Sequence, residues 1–228
     1  MGRDRRSEEE LESRWEAAPV VAFVIGLQLV LTFVSREKGW DLWGLPWWAW
    51  LGAVVPETVL LVLLAWNRPR NWLDRIGYRR RISIVLIGFI SLTNAVLLAT
   101  MIGSILQGDE ESGGQLLLKA TTVWVTNVVA YGLWYWSLDR GGPHKRLGDD
   151  PELPDFQFPQ LDNPHFAPPD WQPQIVDYLF VSFTNSIAFS PTDTFPLTRR
   201  AKMLMLSESF ISAVTILLVA SRAVGILG

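Results

Sequence analysis

The sequence predicts an all-α fold: a polytopic membrane helical bundle of five full spans plus one short re-entrant or short-spanning pore-like helix. Hydrophobic residues make up 49% of the 228 positions, a share that fits a soluble domain as well as a membrane protein. The arrangement decides between the two. Apolar residues are gathered into blocks of about twenty, the length that a bilayer requires of a helix. Charges lie in short runs between these blocks, whereas a soluble core would mix both kinds at helical period.

The five predicted spans are long enough to cross the hydrocarbon core as helices. They cover residues 17–35, 46–66, 82–106, 116–138 and 204–227. A sixth apolar stretch, residues 175–189, is shorter, and as a helix it would rise only about 22 Å against a core of about 30 Å. We therefore expect this stretch to be half-inserted.

Basic residues in the short loops predict the orientation, because cytoplasmic loops retain Lys and Arg during insertion. Six arginines follow the second span: Arg68, Arg70, Arg75, Arg79, Arg80 and Arg81. This loop is therefore predicted to be cytoplasmic. The same count puts the N-terminus and residues 139–174 inside and the acidic turn at 108–111 outside. We expect a multi-pass protein of a bacterial inner (plasma) membrane, with its N-terminus in the cytoplasm.

Four segments follow from this topology. They are a cytoplasmic N-terminal segment (1–16), a four-span membrane bundle (17–138), a proline-rich loop (139–174), and a pore-like hairpin with the final membrane helix (175–228). The loop holds eight of the fourteen prolines, so little regular structure is expected in it. Its aromatic residues, which include Phe156, Phe158 and Trp171, predict that it lies against the helices, since a disordered linker would hold few of them.

Several function classes find no support in the composition. The net charge is −3 and the basic residues are scattered, so nucleic-acid binding is not expected. The absence of cysteine excludes disulfides and thiol catalysis. His144 and His165 stand alone in the loop without a second ligand at metal spacing. Since neither a nucleophile motif nor a complete phosphate-binding loop is present, we expect no enzyme, no metal and no cofactor.

The densest polar signal lies in the hairpin that opens the last segment. A short apolar helix carries hydroxyl and amide side chains, a proline-broken polar stretch follows, and a full span comes next. Irregular backbone at membrane depth must be sheltered by protein or by a wet cavity, as it is in selectivity filters. The predicted pore-like residues are Ser182, Thr184, Asn185, Ser186, Ala188, Phe189, Ser190, Pro191, Thr192 and Asp193.

The order of these residues carries a resemblance. Ser182-Phe183-Thr184, Ala188-Phe189-Ser190, Asp193, Pro196 and Thr198-Arg199-Arg200-Ala201-Lys202 stand before a last helix. This order resembles the pore helix, filter and inner helix of the two-helix potassium channel module. It is more similar still to an uncharacterised family of bacterial multi-pass membrane proteins, with its Tyr-Phe-x-Phe-Thr stretch, Ser-Asp turn and Arg-Arg before the final span. The resemblance implies a pore-like hairpin in the last third of the chain.

The sequence departs from the channel pattern in its filter. A potassium filter needs glycines so that successive carbonyls point at the ion, but Ala188 and Ser190 stand there. Pro191 then fixes φ, so the filter is degenerate. Channels also admit the hairpin from outside, whereas the arginine count admits it from the cytoplasm. Either the hairpin is inverted, or the short helix crosses and the basic residues after it lie outside.

Ionisable and amide side chains inside spans are the other candidates, because a charge in hydrocarbon costs a few kcal/mol unless it is paired or hydrated. Glu57 is predicted to face the bundle interior as a proton-carrying or cation-binding carboxylate beside Asn94 or Asn127. Its alternative is a structural glutamate near the Pro56 kink. Glu208, one turn into the last span, is expected to stay hydrated as a helix-start carboxylate.

Two functions follow. The first is channel-like or transporter-like ion permeation through the degenerate pore hairpin, which requires a homo-oligomer because one hairpin cannot enclose a pore. The alternative is a non-transporting membrane scaffold or accessory protein that docks a cytoplasmic protein partner through the proline-rich loop. In both, the lipid bilayer surrounds the spans.

Overall fold

A computed structural model describes residues 17–40, 47–66, 78–107, 113–146, 152–163, 165–168, 171–190 and 193–227. The predictions for the N-terminal segment, for Arg68, Arg70 and Arg75 and for the acidic turn at 108–111 lie outside the described residues. Pro191 and Thr192 of the predicted hairpin also lie outside them.

The described chain is mostly helical, as predicted. Its helices are α1 (Ala17–Lys38), α2 (Leu51–Ala65), α3 (Arg79–Gln107), α4 (Gly113–Leu138), α5 (Pro143–Arg146), α6 (Pro159–Asp162), α7 (Ile175–Ala188) and α8 (Arg199–Leu227). Two 3₁₀ turns, Trp47–Trp50 and Asp139–Gly141, precede α2 and follow α4. Strands β1 (Phe156–Gln157) and β2 (Phe195–Pro196) pair antiparallel, with Phe156 opposite Pro196.

Four helices in the described part of the chain are long and apolar enough to cross a membrane: Ala17–Lys38, Arg80–Gln107, Gly113–Gly141 and Arg199–Ser221. They are compatible with an integral membrane protein, and four of the five predicted spans lie on them. The predicted second span forms the shorter helix α2, of 15 residues. The predicted short stretch forms α7, of 14 residues.

The chain divides into two compact units. The first unit contains residues 128–211: the C-terminal part of α4, the proline-rich loop, α7 and the start of α8. The second contains residues 20–127 together with the C-terminal part of α8 from Ser212.

The core of the first unit is largely aromatic. Tyr135 of α4, Phe156 and Phe158 of the loop and Tyr178 of α7 are buried, and Val181, Ala201 and Met205 pack with them. The Tyr178 ring lies edge-on to both phenylalanines, at 6.3 Å from Phe156 and 5.3 Å from Phe158. The prediction that the loop lies against the helices is confirmed at these two positions.

Buried Asp139 holds the loop to the end of α4. Its Oδ1 accepts hydrogen bonds from the backbone N–H of Asp155 at 2.7 Å and of Phe156 at 3.3 Å. Its Oδ2 accepts one from the Tyr178 hydroxyl at 2.6 Å. Arg146 places Nη1 at 3.9 Å from the same oxygen. One carboxyl therefore joins α4, the loop and α7.

A second buried carboxyl, Asp155, joins the loop to the start of α8. It forms an ion pair with Arg200, accepts a hydrogen bond from the Thr198 hydroxyl, and its carbonyl accepts one from the Leu197 N–H at 2.8 Å. Arg200 also donates to the Leu138 carbonyl at 3.3 Å. The segment between α7 and α8 is thereby attached to the first unit.

Helix α7 has defined ends. At its start, Gln174 and Asp177 form a capping box, in which the Gln174 N–H donates to the Asp177 carboxyl at 2.7 Å, satisfying backbone donors that the helix leaves free. Burial raises the pKa of the Asp177 carboxyl. At its end, Phe189 adopts a left-handed conformation with φ of 53°. Such a residue is commonly glycine, so the chain turns here without one.

Candidate functional site

The predicted hairpin residues divide between the two faces of α7. Three of them are buried inside the first unit: Ser182, Asn185 and Ser186. Four others are exposed: Ala188, Phe189, Ser190 and Asp193. Thr184 is half-buried. The exposed face of α7 carries large apolar side chains: Val176, Phe180, Phe183 and Ile187.

Two hairpin hydroxyls bond to the backbone of their own helix. The Thr184 hydroxyl donates to the Phe180 carbonyl at 2.9 Å, and the Ser186 hydroxyl donates to the Phe183 carbonyl at 2.8 Å. Such bonds satisfy a hydroxyl locally. Ser182 and Asn185, in contrast, form hydrogen bonds with other helices.

These two side chains meet at Glu208 of α8. Glu208 is fully buried at 0% exposure. Its Oε1 is hydrogen-bonded to the Ser182 hydroxyl, and its Oε2 accepts from the Tyr135 hydroxyl and, at 2.6 Å, from Asn185 Nδ2. The expectation that Glu208 stays hydrated is wrong, because α7 covers it and supplies two of these partners.

Both the nitrogen and the oxygen of the Asn185 amide form hydrogen bonds. Its Nδ2 also donates to the Met205 carbonyl at 3.0 Å, and its Oδ1 accepts from the Ser209 hydroxyl at 3.2 Å. Donors and acceptors around Glu208 are thus paired, which is the condition under which a buried polar network is stable. We call Glu208, Tyr135, Ser182 and Asn185 the Glu208 cluster.

The Ser182 hydroxyl has a second oxygen within reach, the Val128 carbonyl of α4 at 2.7 Å. A hydroxyl has one proton to donate but can also accept. It can therefore donate either to the Glu208 carboxylate or to Val128. In the second case a protonated Glu208 donates to Ser182. The cluster consequently keeps every oxygen paired in both protonation states of Glu208.

Close backbone contact between α4 and α7 makes this cluster possible. A Cβ added at Gly132 of α4 would lie 2.7 Å from Leu179 Cδ2 and 3.2 Å from Leu179 Cα. Because glycine lacks that atom, the two backbones approach closely, as helices with small residues do in membranes. The approach brings Ser182 within hydrogen-bond distance of the α4 backbone.

The second unit contains the other fully buried glutamate among the described residues, Glu57 on α2. It faces Gln28 of α1 and Thr93 of α3. Neither of its oxygens has a hydrogen-bond partner of normal geometry in the described part of the chain. Glu57 is buried, as predicted, whereas its role as a proton-carrying or cation-binding carboxylate stays a prediction. Unlike Glu208, it has no hydrogen bond of normal geometry within the described residues.

A small, mainly apolar cavity lies in the second unit, and Glu57 is not among the residues that line it. Its polar lining is Gln28, Thr32, Thr93, Asn94 and Thr126, and Ala53 and Val54, one turn before Glu57, also line it. Three of these side chains carry buried oxygens that lack partners within the described residues: Gln28 Oε1, Asn94 Oδ1 and Thr126 Oγ1. Glu57 with Gln28, Asn94 and Thr126 forms what we call the Glu57 cluster.

The two asparagines predicted as neighbours of Glu57 lie in different surroundings. Asn94 lines this cavity, whereas Asn127 donates to the Ser212 hydroxyl of α8 at 3.0 Å. The predicted pairing of Glu57 with Asn94 or Asn127 stays a prediction, because the side chains that Glu57 contacts are Gln28 and Thr93.

Several polar residues at or near the two clusters were not identified from the sequence. Gln28, Thr93 and Thr126 are polar residues inside apolar spans, and a search for all such residues would have found them. Tyr135 stands in an aromatic run near the end of α4, where a membrane-interface role is the ordinary interpretation. Nothing in that run distinguishes it from its neighbours.

Comparison of the chain with protein-family models, curated proteins and solved structures finds no match.

Proposed function

We propose that this chain is a channel-like or transporter-like membrane protein that moves protons, with the hairpin of α7 re-entrant and Glu208 as its proton-binding group. The observation that carries the proposal is the Glu208 cluster. A carboxyl inside a membrane helix is a functional candidate because it is costly there, and this one is held by partners that tolerate both of its protonation states.

Contacts at both ends of the hairpin favour re-entry over crossing. Near its start, Tyr178 bonds to Asp139 at the C-terminal end of α4. Beyond its far end, Arg200 bonds to Leu138, at the same end of α4. A hairpin that begins and returns at one end of a spanning helix stays on one side of the membrane. The 14 residues of α7 rise only about 21 Å, which is short of a bilayer core.

The proposed chemistry is a hydrogen-bond switch at Ser182. With Glu208 ionised, the Ser182 hydroxyl donates to the carboxylate. When Glu208 takes up a proton that enters the cluster from outside, the carboxyl donates to Ser182, whose own proton turns to the Val128 carbonyl. Inside the cluster the change requires only a hydroxyl rotation, which is fast. The resemblance to the potassium channel module enters this proposal through the order of its elements, short helix, turn and inner helix. Channel-like permeation would still require a homo-oligomer.

Proton flux into proteoliposomes tests the proposal. Vesicles with the full chain and an internal pH dye receive a membrane potential from a potassium gradient and valinomycin. Wild-type protein should acidify the interior, and Glu208→Gln should lower the rate by about 10²-fold, the scale of a lost acid–base group. Glu37→Gln, the same change at an exposed position of α1, should conduct as wild type.

Two results would contradict the proposal. One is a wild-type rate equal to that of protein-free vesicles. The other is unchanged flux in Glu208→Gln protein that elutes from size exclusion like wild type. Ser182→Ala supplies an intermediate case, because it removes the hydroxyl that reorients and keeps the Glu208 carboxyl. Its flux should lie between the flux of wild type and that of Glu208→Gln.

A scaffold is the second candidate function, favoured by two large apolar side chains that the proline-rich loop exposes. Leu153 is 86% exposed and Phe166 is 66% exposed, whereas Phe156 and Phe158 are used inside the unit. Replacing Leu153 and Phe166 together with serine should abolish copurification of a cytoplasmic partner and leave proton flux unchanged. If the double variant loses proton flux but still copurifies with the partner, the scaffold function is ruled out.

A further inference from the structure

We infer that the start of α8 binds one anionic phospholipid. The head group of this lipid lies against Arg199 and Lys202, and an acyl chain runs along Met203, Leu206 and Phe210. All five residues belong to the first unit, on a helix that is long and apolar enough to cross a membrane. The inference is independent of the proposed proton pathway.

The basic residues at the start of α8 divide into two roles. Arg200 is used inside the first unit, where it forms an ion pair with buried Asp155 and donates to the Leu138 carbonyl at 3.3 Å. Arg199 and Lys202 are exposed. Neither forms an ion pair or a side-chain hydrogen bond in the described part of the chain. Two positive charges are thus left at the surface without an anionic partner among these residues.

The stability of α8 does not account for these two charges. A positive charge in the first turn of a helix is repelled by the helix dipole. No acidic residue stands in the first turn of α8 to offset that repulsion. A negatively charged group held beside Arg199 and Lys202 would offset it, and the surface is therefore suited to an anion.

An apolar row continues from the two charges along the same face of α8. Met203, Leu206 and Phe210 are 64%, 63% and 68% exposed. Their spacing of three and four residues places them in one row on the helix surface. Arg199 precedes Met203 by four residues, and Lys202 precedes Leu206 by four, so both charges lie at the N-terminal end of this row. The face has a charged end and an apolar body of about 16 Å in all, the order of groups in a phospholipid.

The charged end of the row is placed at the level of the lipid head groups. Arg200 bonds to Leu138 near the end of α4, so two helices that can cross a membrane end side by side. Basic side chains at the ends of such helices extend to the head groups. The apolar row that follows then lies beside the acyl chains.

The charge of the pair decides the class of lipid. A zwitterionic head group carries a cation next to its phosphate, which two basic side chains repel, whereas an anionic head group has a net negative charge. Each basic residue near anionic lipid contributes about fivefold in affinity. The exposed face of α7 provides the contrast, since it is equally apolar and α7 has no basic residue. That face consists of Val176, Phe180, Phe183 and Ile187.

The lipid preference beside Leu206 tests the inference. The chain contains no cysteine, so Leu206→Cys labelled with bimane gives a single fluorophore of this kind. The full chain is reconstituted into phosphatidylcholine vesicles that contain doxyl-labelled phosphatidylglycerol or doxyl-labelled phosphatidylcholine as the quencher. We expect half-maximal quenching by the phosphatidylglycerol at a mole fraction about fivefold or more below that of the phosphatidylcholine.

Variants of the labelled chain assign the preference to the two charges. Arg199→Gln and Lys202→Gln should each lower it, and the double variant should abolish it. Lys145→Gln removes the same charge from an exposed lysine of the same unit that is already paired with Glu152, and it should keep the preference. Bimane at Phe180→Cys, on the apolar face of α7, should be quenched equally by the two lipids.

Four results would overturn the site. The first is equal quenching by the two lipids beside Leu206, and the second is a preference that survives in the double variant. The third is an equal preference beside Phe180, which would show attraction by the protein as a whole. The fourth is quenching by neither lipid, which would show that another protein surface covers the row.

Inorganic phosphate distinguishes a lipid from a free anion. Added at constant ionic strength, it should leave the quenching by phosphatidylglycerol unchanged, because the acyl chain contributes to the binding of the lipid. Displacement of the lipid would show that phosphate alone fills the site, and the lipid assignment would then be wrong. Because the assay requires no proton gradient, its failure is independent of failure of the flux assay.

Discussion

The two fully buried glutamates in the described part of the chain, Glu57 and Glu208, have different surroundings. Glu208 is hydrogen-bonded to Tyr135, Ser182 and Asn185, whereas the oxygens of Glu57 have no such partner in the described part of the chain. The first environment is complete within the protein. The second lacks hydrogen bonds of normal geometry within the described residues. The comparison shows that burial alone does not identify a site, and that the balance of donors and acceptors must be counted.

Replacing Glu208 with leucine should give the largest effect on stability. The substitution leaves the Tyr135 hydroxyl and the Asn185 amide buried without their acceptor, and each loss costs about 1–3 kcal/mol. We expect a loss of roughly 3–5 kcal/mol in the free energy of unfolding, measured by thermal or denaturant unfolding in detergent. A small effect would show that the Glu208 cluster does not hold α7 in place, and the contrast with Glu57 would then disappear.

Replacing Gly132 with alanine should have an intermediate effect on the free energy of unfolding. It tests the close contact between α4 and α7, the helix that covers Glu208. The new Cβ would meet Leu179, including its backbone, so α4 and α7 must move apart. Overpacking of this kind costs about 1–3 kcal/mol. Gly114→Ala is the matched control, since nothing lies within 4 Å of its added Cβ. It should be neutral or slightly stabilising. If both variants unfold alike, the close approach of the helices is not required.

Replacing Glu57 with leucine should give the smallest change, and of opposite sign. Only the contacts with Gln28 and Thr93 are lost, neither of which has the geometry of a normal hydrogen bond, and a buried carboxyl is removed. The free energy of unfolding should therefore rise by about 1 kcal/mol. Thermal unfolding of the variant and of wild type in detergent measures the change. A destabilised variant would mean that Gln28 and Thr93 are structural partners of Glu57 and would remove the difference between the two glutamates.

Hydropathy was sufficient to predict the long helices, because a span of about twenty apolar residues has few other stable environments. It was less successful at residues 46–66, where a 3₁₀ turn at Trp47–Trp50 precedes a helix of only 15 residues. The run of tryptophans is apolar enough to extend the predicted span, but hydropathy does not distinguish a 3₁₀ turn from an α-helix.

The candidate sites were predictable in part. Glu57 and Glu208 stand out because ionisable residues are rare in spans, and Asn94 follows from the same rule. Their partners do not follow, because which polar side chains meet depends on helix rotation and on contacts far apart in sequence. Ser182 and Glu208 are 26 residues apart, and Ser182 and Val128 are 54 apart. The hydration wrongly expected for Glu208 reflects the same limit, since its cover comes from α7.

The order of synthesis gives the Glu208 cluster a consequence for membrane insertion. Helix α7 leaves the ribosome before α8, yet two of its buried polar side chains bond to a residue on α8. Until α8 has been made and inserted, Ser182 and Asn185 would enter lipid with this acceptor missing. The short helix should therefore wait at the membrane surface and dock late, so that its assembly depends on a helix that is translated after it.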